Sequence, residues 1–170
     1  MPEFTYAEVG ATRHEPLPAH YNHLRYRVQI GQGADTFRRA GQAVLTFAMH
    51  RAAGAKIRTE AWRAEPGTRL TVTLGPFTVP CEVIYVYEEP GRAGFGYGTL
   101  PGHQENGEEA FLVEHDTEDR VWLRVTAFSR PARWPTILAG PAAVLVQQLF
   151  ARRLGRALRR LSAPSRTVGP

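Results

Sequence analysis

Hydrophobic and polar residues alternate between His23 and Gly31, which is the pattern of a half-buried β-strand. Leu24, Tyr26 and Ile30 fall on one face, and charged or polar residues fall on the other. The first predicted element is therefore a strand with one face directed toward a protein core.

A helical repeat follows in residues 36–54, where Val44 and Phe47 lie on a largely apolar face. We expect Asp35 to cap the N terminus of this helix, because a short acidic side chain can accept hydrogen bonds from the first free N–H groups. Gly54 stands where a glycine commonly ends a helix.

Six more segments look like strands, and turns rich in glycine, proline and aspartate separate most of them. Their spacing is typical of an antiparallel meander. The segment 92–99 carries Gly94, Gly96 and Gly98 at alternate positions, which predicts sharp curvature or the close approach of another segment. The predicted strands are residues 56–62, 68–74, 80–88, 92–99, 108–115 and 120–128.

Residues 134–161 show the spacing of a long helix, with an apolar stripe on one face and the arginines off that stripe. A curved antiparallel sheet that packs against one long C-terminal helix would bury the apolar face of each. The element order β-α-β6-α therefore predicts an α+β fold. The predicted stripe consists of Ala139, Ala143, Val146, Phe150, Leu154, Leu158 and Leu161.

The length of 170 residues suits a single domain, which we place at residues 1–161 and follow with a flexible tail at 162–170. No apolar run is long enough for a transmembrane helix, and the N terminus lacks the pattern of a signal peptide. The single cysteine cannot form an internal disulfide, so we expect a cytoplasmic location.

The net charge of +5 arises at one end of the chain, because residues 151–170 contain six arginines and no acidic residue. Such a helix could contact an anionic membrane surface or nucleic acid. No aromatic residue suited to base stacking lies among these arginines. A solvent-exposed face is therefore the favoured interpretation, with a membrane surface as a weaker alternative and no nucleic-acid partner expected.

Several segments of the chain, within about residues 4–161, resemble the DUF1990 (UPF0548) family. The resemblance implies a Bet v 1-like (START-like) helix-grip fold, in which a hydrophobic cavity lies between the sheet and the long helix. It carries no activity, cofactor or site residue over to this chain. The segments are YAEVGAT (6–12), LPAHY (17–21), IGQGADTFRRA (30–40), GYGTLPGHQENGEEAF (96–111) and FSRPARW (128–134).

Side-chain alternation along the predicted strands makes the inner face of the sheet mostly apolar or aromatic. Buried tyrosine hydroxyls need partners, which favours a cavity that holds water or a ligand with a polar end. The predicted ligand-binding residues are Tyr26, Cys81, Tyr85, Tyr97, Thr99, Glu109, Phe111, Ser129 and Arg130.

The polar positions are expected to gather at one end of the sheet. An inward Glu109 would have a raised pKa unless a cation such as Arg130 pairs with it. The pair could serve as a general acid/base or a ligand anchor, although a structural ion pair is the simpler interpretation. The hairpins are predicted to pair Leu74 with Cys81, Cys81 with Thr99, Thr99 with Glu109, and Glu109 with Ala127.

His103 and Glu105 lie in the loop beside this cluster and could form an acid/base or metal pair. The downstream Pro-Cys-x-x-Cys of a zinc deaminase is missing, since the one cysteine lies upstream. We therefore expect no metal and no cofactor. The candidate catalytic residues are Glu109, His103 and Arg130.

The sequence leaves three functions open. The favoured one is binding of a small apolar or amphipathic molecule, such as a lipid, an isoprenoid or a polyketide-like compound. An enzyme with the same cavity, a cyclase, dehydratase or hydrolase that uses Glu109, is the alternative. An adaptor that works through the arginine-rich helix comes third.

Overall fold

The computed structural model describes residues 3–102, 105–132 and 140–164. Within them lie three α-helices, seven strands and a short 3₁₀ turn at Ala11–Arg13. The elements are β1 (Asn22–Gln32), α1 (Ala34–Leu45), α2 (Ala48–Ala52), β2 (Lys56–Arg58), β3 (Arg69–Leu74), β4 (Phe77–Glu89), β5 (Arg92–Thr99), β6 (Glu105–His115), β7 (Arg120–Pro131) and α3 (Gly140–Ser162).

The seven strands form one antiparallel sheet in the order β1-β7-β6-β5-β4-β3-β2. Each of the strands β2 to β7 pairs with the strand next to it in the sequence. The first strand, β1, pairs with the last, β7. The predicted α+β fold, a curved antiparallel sheet with a long C-terminal helix, is confirmed.

The core lies between the inner face of the sheet and the helices. Phe95, Phe111 and Leu123 of the sheet and Leu154 and Leu158 of α3 are fully buried there. Their burial is the main stabilising contribution to this packing, at roughly 25 cal/mol for each Å² of apolar surface removed from water.

The predicted helix at 36–54 is interrupted at Phe47, which has a left-handed backbone with φ 61°. At this break the Phe47 side chain is fully buried, with its ring 5.5 Å from that of Phe95. The prediction that Asp35 caps this helix is wrong. Gly33 is the N-cap, and Asp35 lies in the first turn of α1, paired with Arg38 at 3.0 Å.

The turn between β3 and β4 is tighter than predicted, because β4 begins at Phe77. Gly75, with φ 56°, allows Leu74 to pair with Phe77. Cys81 consequently lies opposite Leu70, and the predicted pairing of Leu74 with Cys81 is wrong.

A β-bulge at Ile84 reverses the orientation of the second half of β4. Val83 pairs with Tyr97, whereas Tyr85 pairs with Gly96. One extra residue in a strand moves every later side chain to the other face. The predicted inward orientation of Tyr85 is therefore wrong, and its hydroxyl bonds to that of Thr12 at 2.6 Å on the outer face.

The N-terminal segment, residues 3–17, covers part of the outer face of the sheet. Tyr6 and Leu17 pack on the fully buried Phe128. A side chain at Gly98 would collide with Tyr6. The close approach of another segment, one of the two explanations predicted for the glycines of β5, is confirmed at Gly98.

Glu108 lies under this segment and is almost completely buried. Its carboxylate accepts hydrogen bonds from the Tyr6 hydroxyl at 2.8 Å, the Gly10 N–H at 2.7 Å and the Thr12 N–H at 2.9 Å. The Thr12 hydroxyl also donates to it. These donors replace water around a carboxylate that would otherwise be costly to bury.

Helix α3 matches the predicted C-terminal helix over Gly140–Ser162, and its buried residues include Leu154 and Leu158, as predicted. Val146 and Leu161 are exposed, so their assignment to the buried stripe is wrong; Ala139 lies outside the described residues. Ser162, predicted to begin the tail, is a buried part of α3 and not of a tail.

The arginines of α3 face solvent, as predicted from their position off the stripe. The exposed set is Arg152, Arg153, Arg156, Arg159 and Arg160. In the part of the chain that the structure describes, no helix has the length and hydropathy needed to span a membrane.

Candidate functional site

Two glutamates of β6 project toward the interior at the end of the sheet near the β5–β6 loop. Glu109 lies between Tyr97 of β5 and Ala127 of β7 in the cross-strand register. Glu105, four residues earlier, falls on the same face because side chains alternate along a strand. The inward orientation predicted for Glu109 and its pairing with Ala127 are confirmed.

Glu109 receives a hydrogen bond from the phenol of Tyr97, with 3.0 Å between the Tyr97 hydroxyl and Oε2. The glutamate lies deep among protein atoms, yet part of its surface is still accessible to water. Glu109 is therefore surrounded by protein on most sides while part of its side chain remains in contact with solvent.

Burial raises the pKa of Glu109 to about 7, since the surrounding protein atoms solvate the carboxylate poorly. The hydrogen bond from Tyr97 opposes this rise, and the neighbouring charge of Glu105 adds to it. The Glu109 carboxyl therefore changes its protonation near neutral pH.

Glu105 is held by the first half of α3. Gln147 donates from Nε2 to Glu105 Oε2 at 2.7 Å and lies 3.4 Å from the Ser129 hydroxyl. Burial raises the pKa of Glu105, and the hydrogen bonds from Ser129 and Gln147 oppose the rise. Glu105, Ser129 and Gln147 thus connect β6, β7 and α3 beside Glu109.

The predicted pair between Glu109 and Arg130 is wrong. Ser129 faces inward, so Arg130 faces outward, where its guanidinium lies 5.2 Å from the centre of the Tyr21 ring. Because Arg130 does not neutralise Glu109, burial dominates the pKa of this carboxyl. His103, the other proposed catalytic partner, lies outside the described residues.

Thr99 pairs with Cys81 as predicted, but not with Glu109, which lies opposite Tyr97. The Thr99 hydroxyl accepts a hydrogen bond from the Gly107 N–H at 3.0 Å and contacts the hydroxyl of Thr5. Thr99 therefore ties the base of the β5–β6 loop to the N-terminal segment.

Cys81, Phe111 and Tyr26 all lie on the inner side of the sheet, in the orientation predicted for them. Burial raises the pKa of the Cys81 thiol, which keeps it protonated and suits a core residue better than a nucleophile. Tyr26 lies under α3 at Gly155, where an added side chain would come 2.9 Å from its hydroxyl.

His50 of α2 is a buried polar residue that the sequence pattern did not single out. Its ring lies 4.5 Å from that of Phe111, and burial lowers its pKa to about 3. Neither ring nitrogen has a hydrogen-bond partner among residues 3–102, 105–132 and 140–164. The sequence did contain one signal for the burial of His50: it lies three residues after Phe47, which the helical spacing places on the apolar face.

The residues that the structure describes contain no cluster of three or more histidine, cysteine, aspartate or glutamate side chains able to hold a metal ion. The inner group of Glu105, Glu109, Tyr97, Ser129 and Gln147 instead offers hydroxyl, amide and carboxyl groups for hydrogen bonding and proton transfer.

Comparison with known proteins identifies the family. The profile described as "Domain of unknown function (DUF1990)" matches residues 5–157. The chain belongs to the DUF1990 family. Two UPF0548 proteins are similar to it along most of their length. The one from Deinococcus radiodurans is 34% identical over 168 residues, covering 91% of this chain and 85% of that protein. The one from Arabidopsis thaliana is 31% identical over 147 residues, covering 81% and 70%.

Solved structures that resemble this DUF1990 protein share its fold at low sequence identity. A hypothetical protein from Helicobacter pylori has a TM-score of 0.67 at 13% identity, covering 96% of this chain and 98% of that one. Norcoclaurine synthase from Thalictrum flavum gives 0.58 at 12%, covering 84% and 97%. The major latex-like protein 151 of Panax ginseng gives 0.55 at 16%, covering 85% and 99%. The fold is Bet v 1-like.

Proposed function

We propose that this DUF1990 protein binds a small apolar or amphipathic molecule between the inner face of the sheet and the first half of α3. Lipids, isoprenoids and polyketide-like compounds have the required chemistry. The observation that carries this proposal is Glu109, a carboxyl at the polar end of a largely apolar inner face, which is enclosed by protein atoms and still partly accessible.

The polar end of the ligand would meet Glu109 and Tyr97. A carboxyl with a pKa of about 7 is partly protonated at neutral pH, so it can donate a hydrogen bond to an oxygen of an uncharged ligand. An anionic head group would be disfavoured, because it would lie beside Glu105 and Glu109. The ligand is therefore a neutral molecule with a carbonyl or hydroxyl group at one end.

Native mass spectrometry of the protein purified under mild conditions tests this proposal through the mass of any retained small molecule. Glu109→Gln should retain that molecule, because an amide resembles the protonated acid. Glu109→Ala should weaken its binding by about tenfold, which is the loss of one buried hydrogen bond.

Glu114→Gln is the matched control, since Glu114 lies on the same strand but pairs with Arg124 on the outer face at 3.0 Å. Its binding should equal that of the wild type. Equal binding by Glu109→Ala would contradict the proposed site. A wild-type protein that retains no molecule and takes up no neutral amphipathic probe would contradict ligand binding altogether.

An enzyme that uses Glu109 as a general acid/base is the second candidate. A carboxyl with a pKa of about 7 is suited to proton transfer at neutral pH, and the Tyr97 phenol holds it in place. Norcoclaurine synthase shows that a protein of this fold can be an enzyme. The same substitution separates the two candidates: Glu109→Gln would abolish turnover of acyl-ester, lactone or enone substrates while leaving binding intact.

A further inference from the structure

A second cleft lies at the other end of the inner face, between α1 and the turn that joins β4 to β5. It has a volume of about 460 Å³, which is in the range of small-molecule sites. Ala93 forms part of its wall and precedes Tyr97 by four residues on β5, which is about 13 Å along a strand. The buried Phe95 lies between the two positions.

One wall of this cleft is an exposed tryptophan. The side chain of Trp62 is 72% exposed, although an indole gains more than most side chains from burial. The guanidinium of Arg63 lies 5.3 Å from the indole centre. Leu45 and Phe37 of α1 add apolar surface to the cleft. An aromatic ring entering the cleft would therefore meet an indole and an apolar floor.

The guanidinium of Arg63 has hydrogen-bond donors that are not all paired within the described part of the protein. Its side chain is largely buried, and its ion pair with Glu88 at 2.6 Å is the one polar contact of the guanidinium within the described residues. Its Nε is buried without a partner in that part of the chain. A buried donor without an acceptor is destabilising, and a guanidinium suits the two oxygens of a carboxylate.

The three arginines that line the cleft are each paired with a carboxylate: Arg38 with Asp35, Arg63 with Glu88 and Arg92 with Glu89. An anion that binds Arg63 must therefore displace Glu88. Glu88 is more than half exposed, so it can move aside when a competing carboxylate reaches Arg63.

We propose that this cleft is a binding site for a small planar aromatic carboxylate, whose ring stacks on Trp62 and whose carboxylate bonds to Arg63. The proposal uses none of the residues assigned to the interior site, so an experiment can contradict one of the two proposed sites without contradicting the other.

The probes for this site are 2-naphthoate and its uncharged analogue 2-naphthamide. In an NMR titration, 2-naphthoate should shift the indole N–H resonance of Trp62, which is assigned by its loss in Trp62→Phe. Trp122 is the internal control: it also stacks with an arginine, Arg27 at 3.8 Å, but does not line the cleft, and its resonance should not move.

Trp62→Ala and Arg63→Gln should each weaken 2-naphthoate binding by at least about tenfold in calorimetry, and 2-naphthamide should bind about tenfold more weakly to the wild type. Trp62→Ala is expected to fold normally because the indole is exposed, and the melting temperature of Arg63→Gln should be recorded alongside.

Glu109→Ala should bind 2-naphthoate like the wild type. Binding that is lost in Glu109→Ala but kept in Trp62→Ala would overturn the proposal, as would the absence of binding at millimolar 2-naphthoate. Equal affinity for the acid and the amide would overturn the role of Arg63.

Discussion

Neighbouring glutamates on β6 have opposite environments because successive side chains of a strand face opposite sides of the sheet. Glu108 is surrounded by hydrogen-bond donors of the N-terminal segment, whereas the carboxyl of Glu109 receives one bond from Tyr97. The same residue type therefore stabilises the fold at one position and offers a titratable group to the interior at the next.

Glu108→Gln should lower the free energy of unfolding by about 2–4 kcal/mol. The NH2 group of the new amide would face N–H and O–H donors that now bond to a carboxylate oxygen. Urea denaturation measures the loss. The matched control is Glu114→Gln, whose partly exposed ion pairs predict a loss of under about 1 kcal/mol. Equal losses in the two variants would contradict the stabilising role of Glu108.

At the scale of elements, two of the glycines of β5 make room for aromatic side chains that lie on the strand. Gly98 lies under Tyr6, and Gly96 lies under the ring of Tyr85. The N-terminal segment and Tyr85 of β4 can approach β5 this closely because neither glycine carries a side chain.

Gly98→Ala should destabilise the protein by about 1–3 kcal/mol, because the new methyl group collides with the Tyr6 hydroxyl. A double-mutant cycle with Tyr6→Phe checks the cause. The phenylalanine removes the colliding atom, so the double variant should lose less stability than the sum of the single losses. Additive losses would contradict this contact.

The sequence predicts most of these elements but not their irregularities. Alternation identifies the strands, and it correctly turns Glu109 inward. It cannot reveal the bulge at Ile84, which moves Tyr85 to the outer face, because a bulge leaves the composition of the strand unchanged. The left-handed break at Phe47 is also absent from the pattern, because a bulky residue rarely takes this conformation and the helical spacing continues through it.

The candidate site was predictable only in part. The prediction places Glu109, Tyr97 and Ser129 on the inner face, where the structure has them. The partner of Glu109 was missed, because a two-residue difference in the β5–β6 register replaces Thr99 by Tyr97. His50 and Gln147 come from helices, and strand alternation says nothing about which helix residue meets which strand.

At the scale of the whole molecule, the raised pKa of Glu109 makes stability depend on pH. Between the ordinary value of 4.5 and the folded value of about 7, the folded protein binds a proton that the unfolded chain has released. The contribution of Glu109 to stability is therefore present below pH 4.5 and is lost as the pH rises through about 7.

Glu109→Gln removes this titration, so the stability of the variant relative to the wild type should rise between pH 4.5 and 7 and then level off. The gain at pH 8 should be at most about 3 kcal/mol, since the side chain keeps some contact with water. Urea denaturation of both proteins from pH 4.5 to 8 measures the difference. A difference that stays constant across this range would contradict the raised pKa.

The contact of the N-terminal segment with β5 and β6 also sets an order of events during synthesis. The N–H of Thr5 bonds to the carbonyl oxygen of Thr99 at 3.1 Å, and Tyr6 bonds to Glu108. Tyr6 therefore cannot dock until the chain as far as Glu108 has been synthesised. Until then Tyr6 has no partner to bind. The docking of the N-terminal segment on the outer face of the sheet is therefore a late step in folding.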